Sequence, residues 1–182
     1  MKRILVSLSV LLSLGLVASA QTEKGSWLVG GNLNLNTAKN NTEISFMPSA
    51  GYFFLNNFAA GANATISYSK AVDVKNTTFG IGPFARYYFG TMNIRPFADA
   101  ELSFESTKTK TTLSSDTYNS TSFFLGGGLA AFINRNVAVE AIAGYKNTSF
   151  ANGPNTGGFN LRIGFQVYLS GAQVENIKSG GL

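Results

Sequence analysis

The chain has 182 residues, of which 45% are hydrophobic and only 13% charged, about half the charged share of an ordinary globular protein, ~25%. Neither cysteine nor histidine occurs, which excludes disulfides, thiolate metal sites, Ser-His nucleophiles and the usual general base. The net charge of +5 falls to +3 without Lys2 and Arg3, too small and too scattered for a nucleic-acid binder.

Lys2 and Arg3 precede an apolar run over 4–17 and the small residues Ala18, Ser19 and Ala20. That is the layout of a secretory signal peptide cleaved after Ala20. The run is shorter than the roughly 20 residues a membrane helix needs, and no later stretch is long and apolar enough for one. Any crossing of a bilayer therefore falls to strands. The expected organisation is a signal peptide over 1–20, one barrel domain over 21–170 and a short periplasmic tail over 171–182.

From Trp27 to Leu169 large apolar residues recur at every second position between turn signals, the period of a strand with one apolar face. Strands are predicted over 25–36, 42–53, 58–69, 77–89, 94–106, 122–133, 137–147 and 158–169. In the fourth, Phe79, Ile81, Pro83, Ala85, Tyr87 and Phe89 fall on one side. Gly80, Gly82, Arg86 and Tyr88 fall on the other, with Phe84 as the one large apolar exception there. The links 54–57, 90–93 and 134–136 are tight, whereas 70–76, 107–121 and 148–157 are longer and polar. Short periplasmic turns and long outer loops are the habit of outer-membrane barrels, and they put both chain ends in the periplasm. The expected fold is all-β, an eight-stranded antiparallel up-and-down transmembrane barrel.

Alternation alone does not say which face points outward, because a soluble lipocalin-like carrier has the same period with its apolar face inside. Two features favour lipid outside. The non-apolar face of the third segment carries Ala59, Gly61, Asn63, Thr65 and Ser67 rather than charges, which suits a narrow bore. Aromatic residues also gather near strand ends: Trp27, Phe53, Phe58 and Phe89 on the turn side, and Tyr68, Phe79, Phe104, Phe123, Tyr145 and Phe159 on the loop side. Two such girdles fit the two membrane interfaces.

Counting alternate positions places Arg86, Arg95, Asp99, Glu101, Glu105, Glu140, Lys146 and Arg162 in the bore. An eight-stranded interior is just wide enough for side chains to fill it, and a buried charge must be paired. These eight are expected to form an ion network that plugs the lumen. Pairing Phe89 with Ile94 across a tight turn would put Arg86 opposite Phe97 and diagonal to Asp99, with Glu101 and Glu140 facing Arg86 and Arg162. A carboxylate pair such as Glu101 and Glu105 would stand about 13 Å apart along a strand, too far to share one reaction. Gly126, Gly128 and Ala131 fit a dinucleotide fingerprint, but they lie inside a strand, where that fingerprint has no helix to open. There Gly126, Gly127 and Gly128 are expected to relieve crowding, either where the barrel wall bends or where bulky lumen groups such as Phe124 need room. No catalytic, cofactor or metal site is expected, and hence no enzyme.

The segments Gly51-Tyr52-Phe53, Asn57-Phe58-Ala59-Ala60-Gly61, Gly82-Pro83-Phe84-Ala85-Arg86-Tyr87-Tyr88-Phe89, Pro96-Phe97 and Asn136-Val137-Ala138-Val139-Glu140 resemble the outer membrane β-barrel domain family common in Bacteroidetes. That family is similar to the OmpA, OmpX and OmpW barrels. The resemblance implies a Gram-negative outer-membrane protein, of a type often labelled porin-like, and brings no catalytic or ligand residues with it. The end of the last strand, with Gly164, Val167, Tyr168 and Leu169, resembles the signal read by the barrel assembly machinery, except that the chain runs on to Leu182. Flanking glycines predict a disordered tail, the alternative being a short helix over 172–178 at the barrel mouth.

The expected role is structural or surface-interacting, as a monomer among outer-membrane lipids. Lys108 and Lys110 in the loop 107–121 are candidate contacts for lipopolysaccharide phosphates. The alternatives are a narrow porin-like channel for small solutes or apolar molecules, and the soluble carrier.

Overall fold

The computed structural model describes residues 22–38, 41–71, 74–151 and 153–179; the expected signal peptide lies outside them. The strands are β1 (Trp27–Ala38), β2 (Asn41–Leu55), β3 (Phe58–Ala71), β4 (Val74–Tyr88), β5 (Ile94–Lys110), β6 (Ser115–Phe132), β7 (Val137–Phe150) and β8 (Thr156–Leu169), followed by helix α1 (Gly171–Lys178). Each strand pairs antiparallel with its neighbour in sequence, and β1 meets β8 from Trp27↔Leu169 to Leu33↔Ile163, which closes the barrel. Closure gives backbone amides partners between strands, the condition for crossing hydrocarbon without helices.

The apolar face lies outside. Leu33, Ile81 and Ile163 are 61%, 63% and 64% exposed, while their chain neighbours Asn32 and Arg162 are 4% and 3% exposed. A soluble carrier needs the reverse disposition, so that alternative is discarded.

On the turn side the strand ends fall within two residues of where alternation places them, and at Phe58, Ile94, Val137 and Leu169 they coincide. On the loop side they run further. β5 and β6 stay paired out to Lys110↔Ser115, so the loop expected over 107–121 shrinks to a turn at 111–114, where Thr111 Oγ1 accepts the Ser114 N–H at 3.0 Å. Threonine alternates with lysine through Thr107, Lys108, Thr109 and Lys110. A β-branched run of that kind extends a strand without any apolar face. β7 and β8 lengthen in the same way, to Phe150 and from Thr156.

The β4–β5 register also differs from expectation. Tyr88 stands opposite Phe97 and Arg86 directly opposite Asp99. The turn is wider than a tight hairpin: Gly90 takes φ +75° and the Phe89 N–H reaches the Pro96 carbonyl at 2.8 Å. This moves the ladder two residues along.

The tail is helical rather than disordered. Ser170 accepts the Gln173 N–H at 3.3 Å, and the Gln173 side chain accepts the Ser170 N–H at 2.9 Å, a reciprocal capping box. Asn136 in the β6–β7 turn donates to Gln173 Oε1 at 2.9 Å, which ties the helix to the barrel mouth.

Candidate functional site

The bore is filled in layers. At the turn side Phe53, Tyr88, Phe97, Phe132 and Tyr168 pack with ring centroids 4.9–6.3 Å apart. Phe53 is fully buried and so belongs to this plug rather than to the girdle. Its parity follows from the rung Phe53↔Ala59, both residues facing inward, and its neighbours Tyr52 and Phe54 face out. Below the plug Arg95 stacks on Phe132 at 4.8 Å and donates to Thr22 Oγ1 at 2.8 Å and the Met92 carbonyl at 3.0 Å.

Above the aromatic layer lies the charged one. Arg86 donates to Glu140 Oε2 at 2.7 Å and to Asp99 Oδ1 at 3.2 Å. Arg162 donates to Glu101 Oε2 at 2.9 Å and approaches Asp99 to 4.0 Å. Both guanidinium groups lie over rings, Arg86 on Phe97 at 4.4 Å and Arg162 on Phe124 at 4.1 Å. A planar cation can present its edge to carboxylates and its face to an aromatic at once, which an ammonium cannot. The cluster holds two guanidiniums against three carboxylates. Two phenols serve the surplus acid: Tyr168 donates to Glu140 Oε1 at 2.9 Å and lies 2.8 Å from the Tyr88 hydroxyl, which Arg86 Nη1 reaches at 3.3 Å. Arg86, Tyr88, Tyr168 and Glu140 thus close a ring of hydrogen bonds in which each polarises the next.

The backbone makes room for this layer. Gly126 and Gly144 face each other on a rung of β6 and β7, and a Cβ on either would stand 2.6 Å from Phe124 Cζ. At Gly128 it would stand 2.6 Å from Phe97 Cζ. Glycine there lets the rings under Arg162 and Arg86 lie flat against the wall.

Toward the loop side the bore widens into a cavity of about 170 Å³ lined by Glu43, Asn160, Arg162 and Lys146 among others. Lys146, its side chain 38% exposed, reaches Glu105 at 2.9 Å. Deeper, between Asn32, Asn63, Phe84 and Arg86, lies a separate cavity of about 10 Å³, the room of roughly one water molecule.

All eight residues expected in the bore lie on its face. Five of them, Arg86, Asp99, Glu101, Glu140 and Arg162, form one cluster. Glu105 and Lys146 form a separate pair above it, and Arg95 stands apart at the turn-side mouth. Tyr88 and Tyr168 also belong to the cluster, and the sequence signal for the first is that Tyr88 shares the parity of Arg86 two residues away. Of the girdle residues, Trp27 and Phe89 are exposed on the turn side and Phe58 is half-buried. Tyr68, Phe79, Phe104, Phe123, Tyr145 and Phe159 are exposed on the loop side. Lys108 and Lys110 are exposed strand residues, not loop residues. Among the described residues no group of histidine, cysteine or acidic side chains could hold a metal ion.

An apolar exterior between aromatic bands around an ion-paired interior defines a small barrel of the bacterial outer membrane. The chain belongs to the outer membrane protein β-barrel domain family, whose model matches residues 6–166, and so stands with small, non-enzymatic structural barrels. Among solved structures it is similar to neisserial surface protein A, with 20% identity and a TM-score of 0.62 over 79% of this chain and 97% of that one. It is also similar to the N-terminal β-barrel domain of Pseudomonas aeruginosa OprF, with 16% identity and a TM-score of 0.60 over 80% and 98%. At these identities the likeness is one of fold. No curated protein matches the sequence.

Proposed function

We propose that the protein is a structural and surface-interacting barrel, plugged along its bore, that meets its surroundings through the outer rim. The observation that carries this reading is the sequence of layers across the lumen: an aromatic stack, then a cluster of five paired charges, with a cavity of about 10 Å³ beside them. Buried side chains that fill the cross-section in this way leave a hydrated ion no room to pass. The function then lies on the long loop-side strands, where lipopolysaccharide is the partner, and insertion proceeds through the barrel assembly machinery acting on the end of β8. The barrel works as a monomer, since its own strands close it. Planar-bilayer recording of the purified barrel tests the plug: silence is expected, and steady unit conductance would overturn it in favour of a narrow porin-like channel.

A further inference from the structure

The loop-side ends of β3, β4 and β5 bring four lysines onto one outward face. Lys70 stands directly opposite Lys75, and Lys75 directly opposite Lys110. Lys108 occupies the outward position next below Lys110 on β5. All four are exposed. Their parity is that of the girdle residues on the same strands, Tyr68, Phe79 and Phe104, so the ammonium groups stand just beyond the aromatic band, at the level of lipid headgroups. Lys75, Lys108 and Lys110 share an open groove of about 460 Å³ with Tyr68, Phe79 and Thr117.

Like charges placed directly opposite across strands destabilise a sheet, yet two successive rungs here are lysine on lysine. Among the described residues no carboxylate shares the face. Glu43 and Glu105 point into the bore, and Asp116 stands opposite Thr109, whose hydroxyl bonds to Asn76 on the lumen-side face. Asp73 lies outside the described residues. Repulsion of this kind is relieved by an anion that several ammonium groups can share, and the aromatic band beneath fixes the direction from which that anion arrives.

We infer that this face is a binding site for a phosphorylated glycolipid of the outer leaflet. Its phosphates sit among Lys75, Lys108 and Lys110, with Lys70 at the edge, and its acyl chains run down past Phe79 and Phe104 toward Ile81. The site rests on the reading of the protein as a surface-interacting barrel and supplies the partner class for it. A glycolipid fits better than free phosphate because the groove opens on the lipid-facing side, where the ligand's hydrocarbon is buried along with its charge.

The test is retention of a bis-phosphorylated lipid A through detergent exchange, read by native mass spectrometry of the full barrel. Wild type should retain it, and K75Q/K108Q/K110Q should lose about a hundredfold in apparent affinity, given what three lysines contribute near an anionic surface. The corresponding Lys→Arg triple variant should keep it. Heat-modifiable gel migration verifies that each variant is folded, and K24Q on the turn side serves as the neutral control. Unchanged retention in the Gln variant overturns the site. So does equal retention of dephosphorylated lipid A or of phosphatidylglycerol, or displacement by inorganic phosphate alone, which would mark a free-anion site. A conducting wild-type barrel would sink the plugged reading without touching this result, so the two failures are distinguishable.

Discussion

Glu140 offers the sharpest test of the bore, because it is fully buried and accepts from both Arg86 and Tyr168. Replacing it with alanine removes one of the two carboxylates of Arg86 and strands the Tyr168 hydroxyl. Breaking a buried pair from one side costs about 3–5 kcal/mol. Charge counting sets the order among variants. The cluster carries two guanidiniums and three carboxylates, so E140Q leaves it neutral and keeps an acceptor for Tyr168. The expected cost is only about 1–2 kcal/mol, the difference between charged and neutral hydrogen bonds. R86M does the opposite, leaving one guanidinium among three acids, and should be the worst of the set, at or above 5 kcal/mol by the same reasoning (~5 kcal/mol). The double variant R86M/E140L removes a cation and an anion together and should be milder than R86M alone. Urea unfolding of the refolded barrel in lipid vesicles measures this, with Trp27, the single tryptophan, as reporter and heat-modifiable migration as an independent probe. Equal losses in R86M and E140Q, or a double variant worse than R86M, would mean that the charges are individually hydrated and the paired-cluster argument is wrong.

Three further outcomes follow from the packing. F53A should cost about 3–5 kcal/mol in the same assay, as expected for emptying a buried aromatic site, whereas F54A, on the outward face, should cost clearly less; equal costs would return Phe53 to the girdle. G128V should lose about 3 kcal/mol, the upper end of overpacking costs, because a Cβ there would meet the Ala141 carbonyl oxygen as well as the Phe97 ring, while G158V, where a Cβ meets nothing within 4 Å, should be neutral in the same unfolding curves. S170A removes the hydroxyl that caps α1 and should weaken the helix by about 0.5–2 kcal/mol, seen as faster amide exchange over Gly171–Lys178 with the barrel amides unchanged.

The residues themselves explain which parts of this structure were legible in the sequence. Alternation through Phe79, Ile81 and Tyr87 on one side and Arg86 and Tyr88 on the other fixed the fourth strand and put the charges in the bore. At Tyr52-Phe53-Phe54 three aromatics in succession erase the period, so parity was hidden until β3 supplied Ala59 as the partner. The opposition of Arg86 and Asp99 was hidden by the turn after β4, because the left-handed backbone of Gly90 sets the register and hydropathy does not record it. The outer hairpin escaped notice since Thr107 to Lys110 alternates polar with polar, a strand pattern with no apolar signal. In the tail the Ser-x-x-Gln box at 170–173 is a helix start, but the glycines on either side carry the opposite signal.

The two kinds of cation are sorted by place, and the sorting follows from chemistry. Arg86, Arg95 and Arg162 lie in the bore, where each guanidinium stacks on a ring with its face and uses its edge for hydrogen bonds. Lysine has no flat face to stack while an edge hydrogen-bonds, and among the described residues the lysine that enters the bore, Lys146, does so at the loop-side mouth where its side chain is 38% exposed. The lysines beyond the girdle are opposed to one another instead of to acids. A barrel in lipid turns its polar side inward, so its interior charges must satisfy each other before the strands can close, and what satisfies them also blocks the bore. Charge that is left uncompensated by the fold is therefore free to be compensated from outside, and among the described residues its densest run stands on the outer faces of β3, β4 and β5.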